Sequence, residues 1–147
     1  EDQGLQADTV LIAVGGGGLI GGAMAWLEGR CKVVGVEPFN APTLTKALQS
    51  GPQTTVDVSG IAANALGAKQ VGRICYDLAK KTSIRCVNVE DDAIAKAQLL
   101  LWENLRQLVE PAGATALAAL LCGAYVPEQG ERVAVLLCGA NPAVSPL

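Results

Sequence analysis

The chain has 147 residues, a formal net charge of −3 and no histidine. That length supports one domain with a real core, and with no basic cluster larger than Lys80-Lys81 the charge argues against a nucleic-acid partner. Without histidine a Ser-His-Asp or Cys-His mechanism is excluded within this chain, and structural zinc is disfavoured.

Half of the residues are hydrophobic but only 3% are aromatic, so Ala, Leu, Val and Gly must do the packing, as in helices layered closely on a buried sheet. In chain order, the pattern predicts a strand over 9–14, a glycine run, a helix over 19–28 and a strand over 32–37. A helix over 43–49 follows, then a turn-rich surface loop over 50–59 and a helix over 66–80. A strand over 84–89 leads to a long helix over 91–108, whose first turn holds Asp91 and Asp92, where the helix dipole favours acids. Pro111 opens a further helix over 111–124 at a position where its missing N–H costs nothing, and a strand over 132–138 ends the series. The strand runs are apolar with little alternation and are separated by helices. The predicted fold class is therefore α/β, a parallel sheet covered on both faces by helices, in a single domain over 1–147.

Two features need separate reading. Nineteen uncharged residues lie between Asp8 and Glu28, long enough to span a membrane, but the six glycines within them fit a buried strand, a turn and a buried helix better. The five scattered cysteines form no C-x-x-C pair and read as free thiols, which points to a reducing, cytoplasmic setting. The chain opens on Glu1 rather than Met, as a fragment or processed product would.

The run "AVGGGGLIGG" puts six glycines into the ten positions from Ala13 to Gly22, directly after an apolar strand. A strand that ends in glycines and feeds a helix gathers backbone N–H groups around one point, and the helix dipole adds to the attraction for an anion. Any Cβ there would hold a phosphate away from the backbone. The spacing of Gly16, Gly18 and Gly21 satisfies G-x-G-x-x-G, and Glu37 closes the next strand about twenty residues on, so a dinucleotide such as NAD is one candidate ligand. No lysine follows the glycines, which excludes a P-loop.

Five stretches read together carry more. "ADTVLIAVGGGGLIGG", "VVGVEPFNAPTLTKAL", "VSGIAANALGAKQVG", "LLLWENLRQLVEPAGATALAALL" and "VAVLLCGANP" resemble, in order and spacing, the serine/threonine dehydratases. These are pyridoxal-phosphate enzymes of the tryptophan-synthase β-type fold, and the resemblance is to the C-terminal half only. It implies that Gly15, Gly16, Gly17 and Gly18, with Leu19, form the phosphate cup for pyridoxal 5'-phosphate. It also implies that Cys138 faces the pyridine nitrogen, that Glu110 lies near the cofactor ring, and that Gly60 and Ile61 approach the cofactor through main chain alone. Read from the residues alone, Cys138 is a small buried apolar residue and Glu110 an acid at a helix start.

In several relatives, including serine racemases, the glutamate at the place of Glu37 helps hold a divalent cation, with partners at the places of Ala41 and Thr43. Thr43 lacks the carboxylate that a hard cation prefers, so no metal is expected. The family's Schiff-base lysine lies in a Ser-x-Lys motif of the N-terminal half, and none of Lys32, Lys46, Lys69, Lys80, Lys81 and Lys96 follows Ser-x. The resemblance therefore implies no catalytic residue in this chain. It implies part of an enzyme that converts L-threonine or L-serine to a 2-keto acid and ammonia, with the missing half or another chain as partner and a homodimer as the assembly. A nucleotide-binding Rossmann module and a non-catalytic remnant acting as an interaction protein stand as alternatives.

Overall fold

The computed structural model describes residues 6–141. Four apolar runs become strands: Thr9–Ala13 (β1), Lys32–Pro38 (β2), Arg85–Val89 (β3) and Val133–Val135 (β4). They form one parallel sheet in the order β3-β2-β1-β4, with Leu11 of β1 opposite both Val34 and Val135. Parallel neighbours need crossovers. These are supplied by Gly18–Leu27 (α1), Thr43–Ser50 (α2), Ala63–Leu66 (α3), Arg73–Thr82 (α4), Asp91–Leu105 (α5) and Pro111–Leu121 (α6).

Alternation along each strand divides the core into two layers. Leu11, Val34, Val36 and Val87 face α5 and α6, whereas Ile12 and Val14 pack with Ile20, Met24, Leu44 and Cys75 of α1, α2 and α4. Helix α6 is buried nearly all round because its core-facing residues are small: Ala112, Ala114, Ala116, Ala118 and Ala119 are each at most 3% exposed. Small side chains let α6 lie against the sheet and against α5 at once.

The strand order places the site. From β1 the chain crosses to β2 on one side, while β4 joins β1 on the other. Such a reversal opens a crevice at the carboxyl ends of β1 and β4, between segments that leave in opposite directions.

Several expected boundaries are corrected. The helix expected over 66–80 is two helices, α3 and α4, separated at Gly67–Gly72 by a link whose last N–H, that of Gly72, bonds the Gly16 carbonyl at 2.9 Å. Helix α5 stops at Leu105 rather than 108, with Arg106 in the left-handed region at φ 53°, and α6 stops at Leu121, two residues before Gly123 at φ 77°. Strand β4 covers only Val133–Val135, pairing among the described residues with β1, although Leu136 N–H still reaches Leu11 O at 3.1 Å. Residues 142–147 of the expected domain lie outside the described residues.

At the opposite end of the sheet a polar latch gathers the strand starts. Tyr125, 1% exposed, donates its hydroxyl to Glu131 at 2.5 Å, and the Thr9 hydroxyl and Glu128 N–H donate to the same carboxylate. Lys32 and Arg85 place their cations over the Tyr125 ring at 5.5 and 5.3 Å. The hydrogen bonds from Thr9, Tyr125 and Glu128 hold the Glu131 carboxyl at a pKa of about 2, below its ordinary 4.5. A depressed folded-state pKa stabilises the fold fully above 4.5, and the contribution disappears as pH falls through about 2. Urea denaturation midpoints followed between pH 6 and 2 should therefore fall with acid, and Glu131→Gln should flatten that fall; an unchanged acid limb in the variant would discount the latch.

Candidate cofactor site at the carboxyl ends of β1 and β4

Six of the seven residues from Ala13 to Leu19 and the segment after β4 meet in one cleft of about 250 Å³. Gly15, Gly16, Gly17, Gly18 and Leu19 line one wall, with Cys138 and Glu110 on the other and Ala65, Leu66 and Ala112 closing it. Seven of the nine sequence-predicted binding residues thus come together. Gly60 and Ile61 are not in the lining. They form the turn ahead of α3, where Ile61 N–H donates to Asp91 Oδ2 at 3.2 Å. That turn needs glycine: Gly60 has φ 88°, and a Cβ on it would lie 2.6 Å from Asp91 Oδ2.

The glycines of the run have different jobs. Gly15 packs against α3, where a Cβ would approach Leu66 Cα to 3.0 Å. Gly17 adopts φ 88°, and a Cβ would meet Cys75 Sγ at 2.6 Å and Cys75 Cβ at 2.7 Å. Gly18 starts α1 with open space on its Cα. Helix α1 has no side-chain cap, and Gly21 N–H makes the bond to Gly17 O that closes the first turn. The amides of Gly18, Leu19 and Ile20 therefore precede the helical ladder, as the first donors of any helix do, and here they stand at the cleft. Bare amides at the positive end of a helix dipole suit a dianionic phosphate.

The opposite wall depends on two further glycines. Glu110 N–H bonds Gly139 O at 3.2 Å, and the Glu110 carboxylate occupies the space a Cβ on Gly139 would take. A Cβ on Gly113 would strike the Gly139 carbonyl in turn. Glu110 is the N-cap residue of α6, so it does stand at a helix start, but its side chain makes no cap bond; the residue, 9% exposed, also lines the cleft wall. Cys138 Sγ lies 3.9 Å from Ala112 O. Partial desolvation, and secondarily the Glu110 charge, push its thiol above the ordinary value and outweigh a backbone hydrogen bond that lowers it; Cys138 is a neutral thiol at neutral pH.

Glu37 does something the sequence did not reveal. It is fully buried at the end of β2, and its carboxylate accepts Leu44 N–H at 2.7 Å, Thr45 N–H at 2.8 Å and the Thr45 hydroxyl at 2.6 Å. It caps α2 from a distance. Burial raises its pKa, and the bonds from Thr45 and Leu44 offset part of that rise. A carboxylate fully buried and turned onto α2 is not presented to a ribose hydroxyl, which removes the acidic element of the dinucleotide pattern. The missed signal was local: α2 opens as Pro42-Thr43-Leu44-Thr45 with no acid in its first turn.

The crevice, the amides, the thiol and the buried carboxylate define an α/β protein whose cleft at the ends of β1 and β4 suits an anionic ligand. Residues 1–139 match the family model for pyridoxal-phosphate dependent enzymes, and the chain belongs to that family. It is 37% identical over 137 residues to the phenylserine dehydratase of Ralstonia pickettii, covering 91% of this chain and 42% of that one. To the L-threonine ammonia-lyase of Thermotoga maritima it is 34% identical, covering 91% of this chain and 34% of the relative. Among solved structures, the T.th. threonine deaminase superposes with a TM-score of 0.85 at 30% identity, over 99% of this chain and 48% of that one. Serine racemase from Dictyostelium discoideum gives 0.83 at 29%, over 97% and 47%. The chain thus spans less than half the length of these relatives.

Gly17→Ala should cost at least about 2 kcal/mol of stability, since it combines a left-handed φ with a clash. Cys75→Ala should not restore it, because the Cβ of residue 75 remains in place; full recovery of the melting temperature in the double variant would refute this account of Gly17.

Proposed function

We propose that the chain is the cofactor-holding C-terminal half of a serine/threonine dehydratase, which carries out α,β-elimination on L-threonine or L-serine to give a 2-keto acid and ammonia. The observation that carries this reading is the convergence of the glycine amides, Cys138 and Glu110 on one crevice. When bound, pyridoxal 5'-phosphate supplies an electron sink for the pair left behind as the substrate loses its α-proton. The amides of Gly16, Gly17, Gly18 and Leu19 would hold its phosphate. A neutral Cys138 thiol opposite the pyridine nitrogen would leave that nitrogen less protonated than a carboxylate would. That tempers the sink, which suits an elimination in which departure of the β-substituent takes up the electrons. Glu110, held on Gly139 and free of a cap, offers a fixed acceptor for a polar group entering the cleft.

None of the six lysines lines the cleft. The reaction's lysine base would thus come from the other half of the enzyme, and the isolated chain would be inactive. Strand β4 is a sheet edge, and Leu136 and Leu137 beyond it are 36% and 37% exposed. That apolar edge suits coverage by the other half or by another chain. A cytoplasmic setting fits the five free thiols, a homodimer is what the family resemblance implies, and among the described residues no helix is long and apolar enough to cross a membrane. The NAD-type reading is disfavoured by Glu37, whose oxygens are committed to α2.

Equilibrium titration of the chain with pyridoxal 5'-phosphate, pyridoxal and NAD tests the reading. The phosphorylated cofactor should bind at least tenfold more tightly than pyridoxal, and NAD should not compete. Gly18→Ala should fold normally, since open space surrounds that Cα, yet weaken the phosphorylated cofactor about tenfold or more. Stronger binding of NAD, or release of keto acid by the isolated chain, would overturn the proposal.

A further inference from the structure

Thr43 connects the Glu37 cap to the glycine run. Both residues are 0% exposed, at the junction of β2 and α2. The Thr43 hydroxyl lies 2.9 Å from the Gly15 carbonyl and 3.3 Å from Glu37 Oε1. Its single proton goes to the nearer acceptor, Gly15, because Glu37 Oε1 is already served by Leu44 N–H at 2.7 Å. Glu37 meanwhile grips the amides of Leu44 and Thr45, which fixes the first turn of α2 and with it the place from which Thr43 donates.

From this arrangement we infer that Glu37 and Thr43 are positioning residues for the phosphate cup: Glu37 clamps the start of α2, and the Thr43 hydroxyl draws back the Gly15 carbonyl so that the next amides are set before any ligand arrives. A trans peptide unit points its N–H opposite to its C=O. Holding the Gly15 carbonyl towards α2 therefore turns the Gly16 N–H away from α2. On the other side Gly72 N–H holds the Gly16 carbonyl at 2.9 Å, so successive carbonyls of the run are tied to different helices. A glycine run left untied would sample many conformations, and ordering it would consume binding energy. The inference takes its ligand from the proposed function, but the brace itself is a property of the unliganded chain.

The test compares Thr43→Val, which keeps the shape and removes the donor, with Thr43→Ser, which restores the donor, in the full 147-residue chain. Amide hydrogen exchange of Gly72 reads the order of the run without ligand, with Val36 in β2 as the internal reference. Affinities for pyridoxal 5'-phosphate and pyridoxal read the cup. In Thr43→Val, Gly72 exchange should quicken about tenfold while Val36 does not change. The phosphorylated cofactor should weaken about tenfold with pyridoxal unaffected, and Thr43→Ser should return both to wild-type values. If Thr43→Val does not fold, Thr43→Ala gives the same comparison. Unchanged Gly72 exchange, equal quickening of Gly72 and Val36, or equal weakening of both ligands would overturn the brace. If the unmodified chain binds the two ligands equally, the proposed function fails, and Gly72 exchange still decides the brace.

Discussion

Peptide amides hold an anion only if the chain brings them to one place with no Cβ in the way and keeps them from collapsing onto neighbouring carbonyls. The glycine run between β1 and α1 has to meet both demands. Leu66 limits Gly15 from one side and Cys75 limits Gly17 from another, while Gly18 opens onto the cleft. Burial, with the Glu37 charge behind it, pushes the Cys75 thiol up to about 11. The sulfur backing the cup is thus an inert, neutral filler and does not compete with an anion in front. A segment that looks permissive in composition is tightly specified in its surroundings.

The second wall of the cleft reaches the same point by a different route. Its members come from residues 110–113 and 138–139, distant in sequence, and they meet because two glycines give way: Gly113 admits the Gly139 backbone and Gly139 admits the Glu110 carboxylate. The sheet order makes this encounter useful. With β4 beside β1, the chain leaving β4 passes in front of the chain leaving β1, and a thiol and a carboxylate then face a bank of amides. At the opposite strand ends the Tyr125 latch ties the sheet together separately from the crevice.

Most of the architecture was legible from local pattern. The apolar runs that became β1, β2 and β3 differ from expectation by a residue or so at their ends, and the glycine run does sit at a strand-to-helix turn lining a cleft. What escaped was set by contacts between distant residues. Ala63–Leu66 and Arg73–Thr82 both look helical, and only the bond from Gly72 to Gly16 shows why the chain must break between them. Glu37 matches the ribose-binding acid of the dinucleotide pattern because nothing local shows that it caps a helix starting six residues later. The family resemblance supplied Cys138 and Glu110, whose own sequence contexts read equally well as packing and as a helix start.

Among the described residues strand β4 pairs on one side only. Its outer row of donors and acceptors, followed by the partly exposed Leu136 and Leu137, has the chemistry of a docking edge: an extended segment laid against it would continue the sheet.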